Sequence, residues 1–267
     1  MNDMDNDTKL YASVDKLYSK DGLPGSRRLQ TCNLDGVGSA GVYGEVTTPE
    51  TIFRALSLNA KDHFIDLGSG RGQLVLAAAT RTAGPIPVHS RGVELIDLRH
   101  EVAAEAKAQA PAEVQARCDV KCGDALKEDL TSVTKAFLCN TTFSACLNQS
   151  FARSFAIKVA PKLEQVATMM PFADSYAAEA GLVLTCVTAV KATYAPFGTA
   201  LYIYSRPDAA GVSAEPVAIK EVVDAKAVET MLAARRQADR QALMNEGASG
   251  AAERGALRTA LLQASFM

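Results

Sequence analysis

Tryptophan is absent from this 267-residue sequence, and histidine occurs three times, as His63, His89 and His100. The histidines fall near expected strand and helix ends, and read as structural or surface groups rather than as ligands or a base. The six cysteines, Cys32, Cys118, Cys122, Cys139, Cys146 and Cys186, form no C-x-x-C pair. Cys118 and Cys122 have no matching His or Cys pair, so no metal is expected. Several lie in apolar runs, as reduced, buried thiols of a cytosolic or nuclear protein do. No long basic run is present and the net charge is −2, which excludes a chain that binds nucleic acid by bulk charge. No apolar stretch reaches membrane-spanning length, so no membrane partner is expected. The acidic start "MNDMDNDTKL" is unlike a signal or transit peptide. No internal repeat is present.

What is there is alternation. A helix is expected over "PETIFRALSL", a strand at 64–67, a helix over 73–82, a strand at "VHSRGVEL" and a helix over "RHEVAAEAKAQA". Strands follow at "RCDVKCGD" and "AFLCN", a helix near "ACLNQSFARSFAIK", and a strand at "EQVATMM". Two β-rich runs, "GLVLTCVTAVKAT" and "ALYIYSR", are joined through "YAPFG". This order argues an α/β chain with a mostly parallel, doubly wound sheet closed by an antiparallel hairpin. Residues 1–47 form an N-terminal segment with a short helix near Leu10–Tyr18, then a loop. Residues 48–206 form the main domain. Residues 207–267 are Ala-rich and helical, with Arg235, Arg236 and Arg240 on a face that reads as solvated.

"HFIDLGSGRGQLVLAAAT" is a buried strand, a glycine turn and a helix. The turn Gly68-Ser69-Gly70-Arg71-Gly72 leaves room for a ligand on the backbone, and the helix start offers N–H groups. Neither G-x-x-x-x-G-K-[ST] nor G-x-G-x-x-G fits it. Asp66, two positions before the first glycine, repels phosphate and suits a cation. Glu94 ends the next strand, where a ribose diol is gripped. Asp124 ends the third, where it can accept from an adenine amine or cap the segment after it. Asn140 ends the fourth, where a reacting group would be held, with Phe143 able to wall the pocket.

Together these residues resemble the seven-strand, Rossmann-like S-adenosylmethionine-dependent methyltransferases. "GVYGEV", "FIDLGSGRGQLVL", "GVE", "GD" and "NTTF", in that order, resemble the non-SET histone-lysine methyltransferases named for disruption of telomeric silencing, trypanosomatid members in particular. The resemblance covers about residues 36–205. "MMPF" at 169–172 and "ALYIY" at 200–204 fall where similar family segments do.

The resemblance implies an S-adenosylmethionine-dependent methyltransferase acting on a lysine in the globular core of nucleosomal histone H3, in the nucleus. It implies that Tyr43, Gly44, Glu45 and Val46 cover the methionine end of the cofactor, that Phe64, Ile65, Asp66, Leu67, Gly68, Ser69, Gly70, Arg71, Gly72 and Gln73 form its floor, that Glu94 binds the ribose, and that Asp124 and Ala125 meet the adenine. Asn140, Phe143 and Tyr202 would line the lysine channel. The sequence departs from the family at Val46, where Thr is usual, and at Cys139-Asn140-Thr141, where paired asparagines and Phe are usual. Without a long basic tail, any DNA contact would be weak. A nucleic-acid or small-molecule methyltransferase, or an inactive chromatin-binding module, are the competing readings.

Overall fold

The structure is a computed structural model that describes residues 3–23, 44–87 and 89–207. Tyr43, Cys32 and the expected C-terminal helices with Arg235, Arg236 and Arg240 lie outside these residues.

A seven-stranded sheet organises the chain. β1 (His63–Leu67), β2 (His89–Glu94), β3 (Cys118–Cys122), β4 (Lys135–Leu138), β5 (Gln165–Thr168), β6 (Val183–Ala192) and β7 (Ala195–Ser205) stand in the order β3-β2-β1-β4-β5-β7-β6. The first five are parallel; β7 runs antiparallel to β5 and to β6. Helices α1 (Asp3–Asp15), α2 (Pro49–Ala55), α3 (Gln73–Thr80), α4 (Asp97–Gln109), α5 (Ala112–Gln115), α6 (Ala145–Ser154) and α7 (Asp174–Ala180) complete the described residues.

Side-chain alternation sorts the sheet into two faces. Phe64, Phe137, Ala167, Leu201 and Ile203 belong to one core, with Ile52 and Phe53 of α2, Leu74 and Leu76 of α3, and Leu10 and Val14 of α1. Ile65, Leu67, Leu138, Val166, Tyr202 and Tyr204 belong to the other, with Phe151 of α6 and Ala177 of α7. The central strands are buried on both faces, which explains their unbroken apolar runs. Pro49 at the first turn starts α2, and Ser144 caps α6 by accepting from the Leu147 amide.

Several elements differ from expectation. α1 begins at Asp3 rather than near Leu10, and α5 and α7 were not anticipated. "YAPFG" is not the connection between the last strands: the turn is Thr193-Tyr194, and β7 takes in Pro196–Gly198. A bulge between the Val190–Thr199 and Ala192–Ala195 pairs absorbs those residues, with Gly198 at φ 112°. Of the five described cysteines, Cys118 is buried while Cys146 is exposed.

Candidate active site

The chain leaves β1 toward β2 and β3, then returns to β4 on β1's other side. Ligands of open α/β sheets sit where strand order reverses in this way, beyond the carboxyl ends of the strands. A small cavity lies there, bounded by Asp66 of β1, Gly68–Gly70 of the turn, Phe137 and Cys139 at the end of β4, and Gly44–Val46.

The glycine turn is held by its own protein. The amides of Gly68 and Ser69 donate to the Val93 carbonyl, Gly70 to Glu94 Oε2 at 2.7 Å, and Gly72 to the Ser69 carbonyl. Those N–H groups are therefore spent, and the turn offers backbone surface rather than an anion nest. Gly68, at φ 85°, has open space where a Cβ would stand, so a ligand can lie against it. Gly72 serves packing instead: its Cβ would press on Ala103 and Val120.

Carboxylates dominate the cavity's electrostatics. Oδ1 of Asp66 is buried without a hydrogen-bond partner, as is Oε1 of Glu45. Burial, then the charges of Glu45 and Glu94, push the Asp66 carboxyl well above its ordinary range. Burial lifts Glu45 to about 7; Arg71 pulls it down, and Glu94 and Asp15 push it further up. Orphaned buried acceptors beside an open glycine face are completed by a cationic ligand and would be opposed by a phosphate. Gln73, fully buried at the start of α3, also leaves both amide atoms without partners.

Residues 44–48 are zipped to the β6–β7 hairpin. Val46 bridges to Ala192, the Thr193 amide donates to the Glu45 carbonyl, and the Glu45 amide donates to Thr193 Oγ1. This pairing hangs Glu45 over the cavity. A Cβ on Gly44 would overlap the Tyr194 ring. Tyr194 in turn places its hydroxyl 3.9 Å from Cys139 Sγ. Sequence reasoning placed Tyr194 correctly in the hairpin connection but missed that this turn packs against Gly44 and Cys139. The signal was available in the aromatic beside the turn.

The remaining candidates take more particular places. Glu94 is buried, with Oε1 accepting from Ile96 N and Oε2 from Gly70 N. Asp124 caps the turn Ala125–Lys127 by accepting from Leu126 N at 3.0 Å. Phe64 lies in the core beside Phe53, while Ile65 and Leu67 face the opposite core. Arg71 points away from the cavity toward α1.

The three expected channel residues do not meet at the cavity. Asn140 is fully buried: its amide donates to Asn148 Oδ1 and the Met170 carbonyl, and its oxygen accepts from Met170 N. It braces the end of β4 against the segment after β5. Phe143 stacks on Phe151 at 5.4 Å. Tyr202 belongs to the core opposite the one that holds Phe137 and Leu74, because its position in β7 has the other parity from Leu201 and Ile203.

Residues 25–155 match the model of a family described as histone methylation protein DOT1. No curated protein matches the chain. A putative RNA methyltransferase from Pyrococcus horikoshii superposes with a TM-score of 0.50 at 16% identity, covering 76% of this chain and 98% of its own. An RNA methyltransferase from Salinibacter ruber, in complex with S-adenosyl-L-homocysteine, superposes at 0.43 with 18% identity, covering 64% of this chain and 95% of its own. The Pyrococcus likeness, at this identity, shows the fold alone, a Rossmann-like seven-stranded sheet.

Proposed function

We propose that this chain, which matches the DOT1 histone methylation family model over residues 25–155, is a member of that family and methylates a lysine in the globular core of histone H3 within the nucleosome. On this reading it is an S-adenosylmethionine-dependent methyltransferase. Nuclear location and, at most, weak DNA contact belong to the same proposal.

The observation that carries the site assignment is the pair of buried carboxylate oxygens, Asp66 Oδ1 and Glu45 Oε1, that lack a hydrogen bond beside the open face of Gly68. A ligand with a sulfonium, an ammonium and no phosphate fits these acceptors. Glu45 and Gly44, with Tyr43 preceding them, would hold the amino-acid end. Asp66 and the turn Gly68–Gly72 would form the floor, Glu94 the ribose contact, and Asp124 with Ala125 the adenine edge.

When bound, S-adenosylmethionine supplies an electrophilic methyl group, and attack by a neutral lysine amine forms the N–C bond as the S–C bond breaks. A free lysine amine has a pKa of about 10.4, so it must first lose a proton. A desolvated channel lowers that value, and the proton leaves to water before attack. We assign the channel wall to Cys139, which borders the cavity, and to Tyr194, whose hydroxyl lies 3.9 Å from Cys139 Sγ. Asn140 positions the β4 end from behind. Catalysis then rests on alignment and on aromatic and carboxylate stabilisation of positive charge.

The test is mass-spectrometric mapping of labelled methyl groups after reaction with assembled nucleosomes. The label is expected on a lysine of the histone H3 core domain. Label confined to flexible tails, or to another histone, would remove the proposed acceptor.

A further inference from the structure

Arg71 sits in the glycine turn, yet its side chain is fully buried and directed away from the cavity. Nη2 lies 2.6 Å from Asp15 Oδ1 and 3.4 Å from Tyr11 Oη, both on α1. Nη1 donates to the Gly22 carbonyl at 3.4 Å, in the 3-10 turn Lys20–Gly22. The guanidinium carbon stands 4.1 Å over the Tyr18 ring, and Tyr18 Oη donates to the Arg71 carbonyl. On its other side, Nε is 3.5 Å from Glu45 Oε1, a charge contact without a hydrogen bond. A buried guanidinium is tolerated when paired, and here its partners come from α1, the 3-10 turn and residue 45.

Resting on the reading of this cavity as the cofactor site, we propose that Arg71 is a positioning residue that locks helix α1 onto the glycine turn and aims the Glu45 carboxylate into the cavity, coupling the N-terminal helix to cofactor binding. Titratable groups surround Glu45 on every side. Asp66 comes from β1, Glu94 from β2, Asp15, Tyr11 and Tyr18 from the N-terminal segment, and Tyr194 and Cys139 from the hairpin and the end of β4. Among these groups Arg71 is the cation. It opposes the burial that raises Glu45 to about 7. Burial works against the guanidinium's own charge, but Glu45, Tyr18 and Asp15 outweigh it and hold the group charged. Without Arg71, Glu45 would keep its proton to higher pH and present a neutral acid to a cationic ligand.

The experiment uses the full chain and two readouts: calorimetric affinity for S-adenosylmethionine, and the Glu45 carboxyl titration followed by carbon NMR in the cofactor-free protein. Arg71→Met is expected to move the Glu45 midpoint upward and to weaken cofactor affinity about tenfold at neutral pH. Arg71→Lys, which keeps the charge, is expected to restore the midpoint and most of the affinity. Asp15→Asn, which loosens the anchor on α1, is expected to lose affinity severalfold, and it keeps the test available should Arg71→Met fold poorly. An unmoved Glu45 midpoint in Arg71→Met overturns the proposal, even if affinity falls, because the role would then be structural alone. A moved midpoint with unchanged affinity also overturns it. Failure of the wild-type protein to bind S-adenosylmethionine would instead strike the cofactor reading, while the titration still decides whether Arg71 governs Glu45.

Discussion

The backbone amide of Gly70 donates a 2.7 Å hydrogen bond to Oε2 of Glu94, joining the glycine turn to the end of β2. The second oxygen accepts from Ile96 N, so one carboxylate fixes two chain segments and still has lone pairs for a diol. Buried bonds to an ionised acceptor are the strong class. Glu94→Ala leaves two buried amides unsatisfied and should cost about 2–4 kcal/mol in denaturant unfolding. Glu94→Gln keeps an acceptor and should cost less. Both should weaken S-adenosylmethionine binding by tenfold or more, on the order of 1.4 kcal/mol. Normal affinity in the Gln variant would remove Glu94 from the ribose site.

Gly44 and Tyr194 form a second test, through crowding. An alanine at 44 would overlap the Tyr194 ring and should destabilise the protein by about 1–3 kcal/mol. Adding Tyr194→Ala should return part of that loss, since the overlap disappears. A double-mutant cycle on thermal unfolding measures the coupling. Strict additivity of the two variants would show that the ring does not press on residue 44. Tyr194→Ala alone should impair methyl transfer while leaving cofactor affinity within about twofold, as expected for a channel wall that leaves the cofactor's own contacts in place.

Asn140 and Tyr202 should separate cleanly. Asn140→Ala strands Asn148 Oδ1 and the Met170 amide, while the Met170 carbonyl keeps its bond from Thr168 Oγ1, which predicts a loss of about 2–4 kcal/mol in stability. Tyr202→Phe removes a hydroxyl that makes no hydrogen bond among the described residues, so stability should change by less than about 0.5 kcal/mol and turnover should persist. Loss of turnover in Tyr202→Phe, with the fold intact, would return that residue to the channel.

The raised Glu45 carboxyl sets a pH dependence. Its folded value, about 7, exceeds the ordinary 4.5, so the stability it permits is complete below about pH 4.5 and falls as pH rises through 7. The comparison that isolates it is cofactor-free wild type against Glu45→Gln. Between pH 5 and 8 the wild type should lose stability relative to the variant, by up to about 1.4 kcal/mol per pH unit below 7. A difference that stays flat with pH would mean the carboxyl titrates normally.

Much of this was legible in the sequence. The doubly wound order could be read from apolar runs broken by glycine turns, because strands buried on both faces need unbroken apolar residues. Asp66, Gly68 and Glu94 could be placed at one sheet edge because the ends of consecutive strands must lie there. Arg71 could not be placed: a residue beside the expected ligand can turn either way, and its partners Asp15 and Gly22 are about fifty positions away. The resemblance set Tyr202 at the channel, but strand parity decides the face: in register with Thr168 of β5, Tyr202 turns to the core opposite Leu201 and Ile203. Asn140 sits where expected, but its bonds run to Asn148 and Met170, which only the folded chain brings together.

The most direct test supplies labelled S-adenosylmethionine to the full chain with assembled nucleosomes, free histones and total RNA in parallel. The account predicts transfer to a core-domain lysine of histone H3, strongest on nucleosomes, and its loss in Asp66→Asn. Transfer to RNA alone, or undiminished transfer by the Asp66 variant, would contradict it.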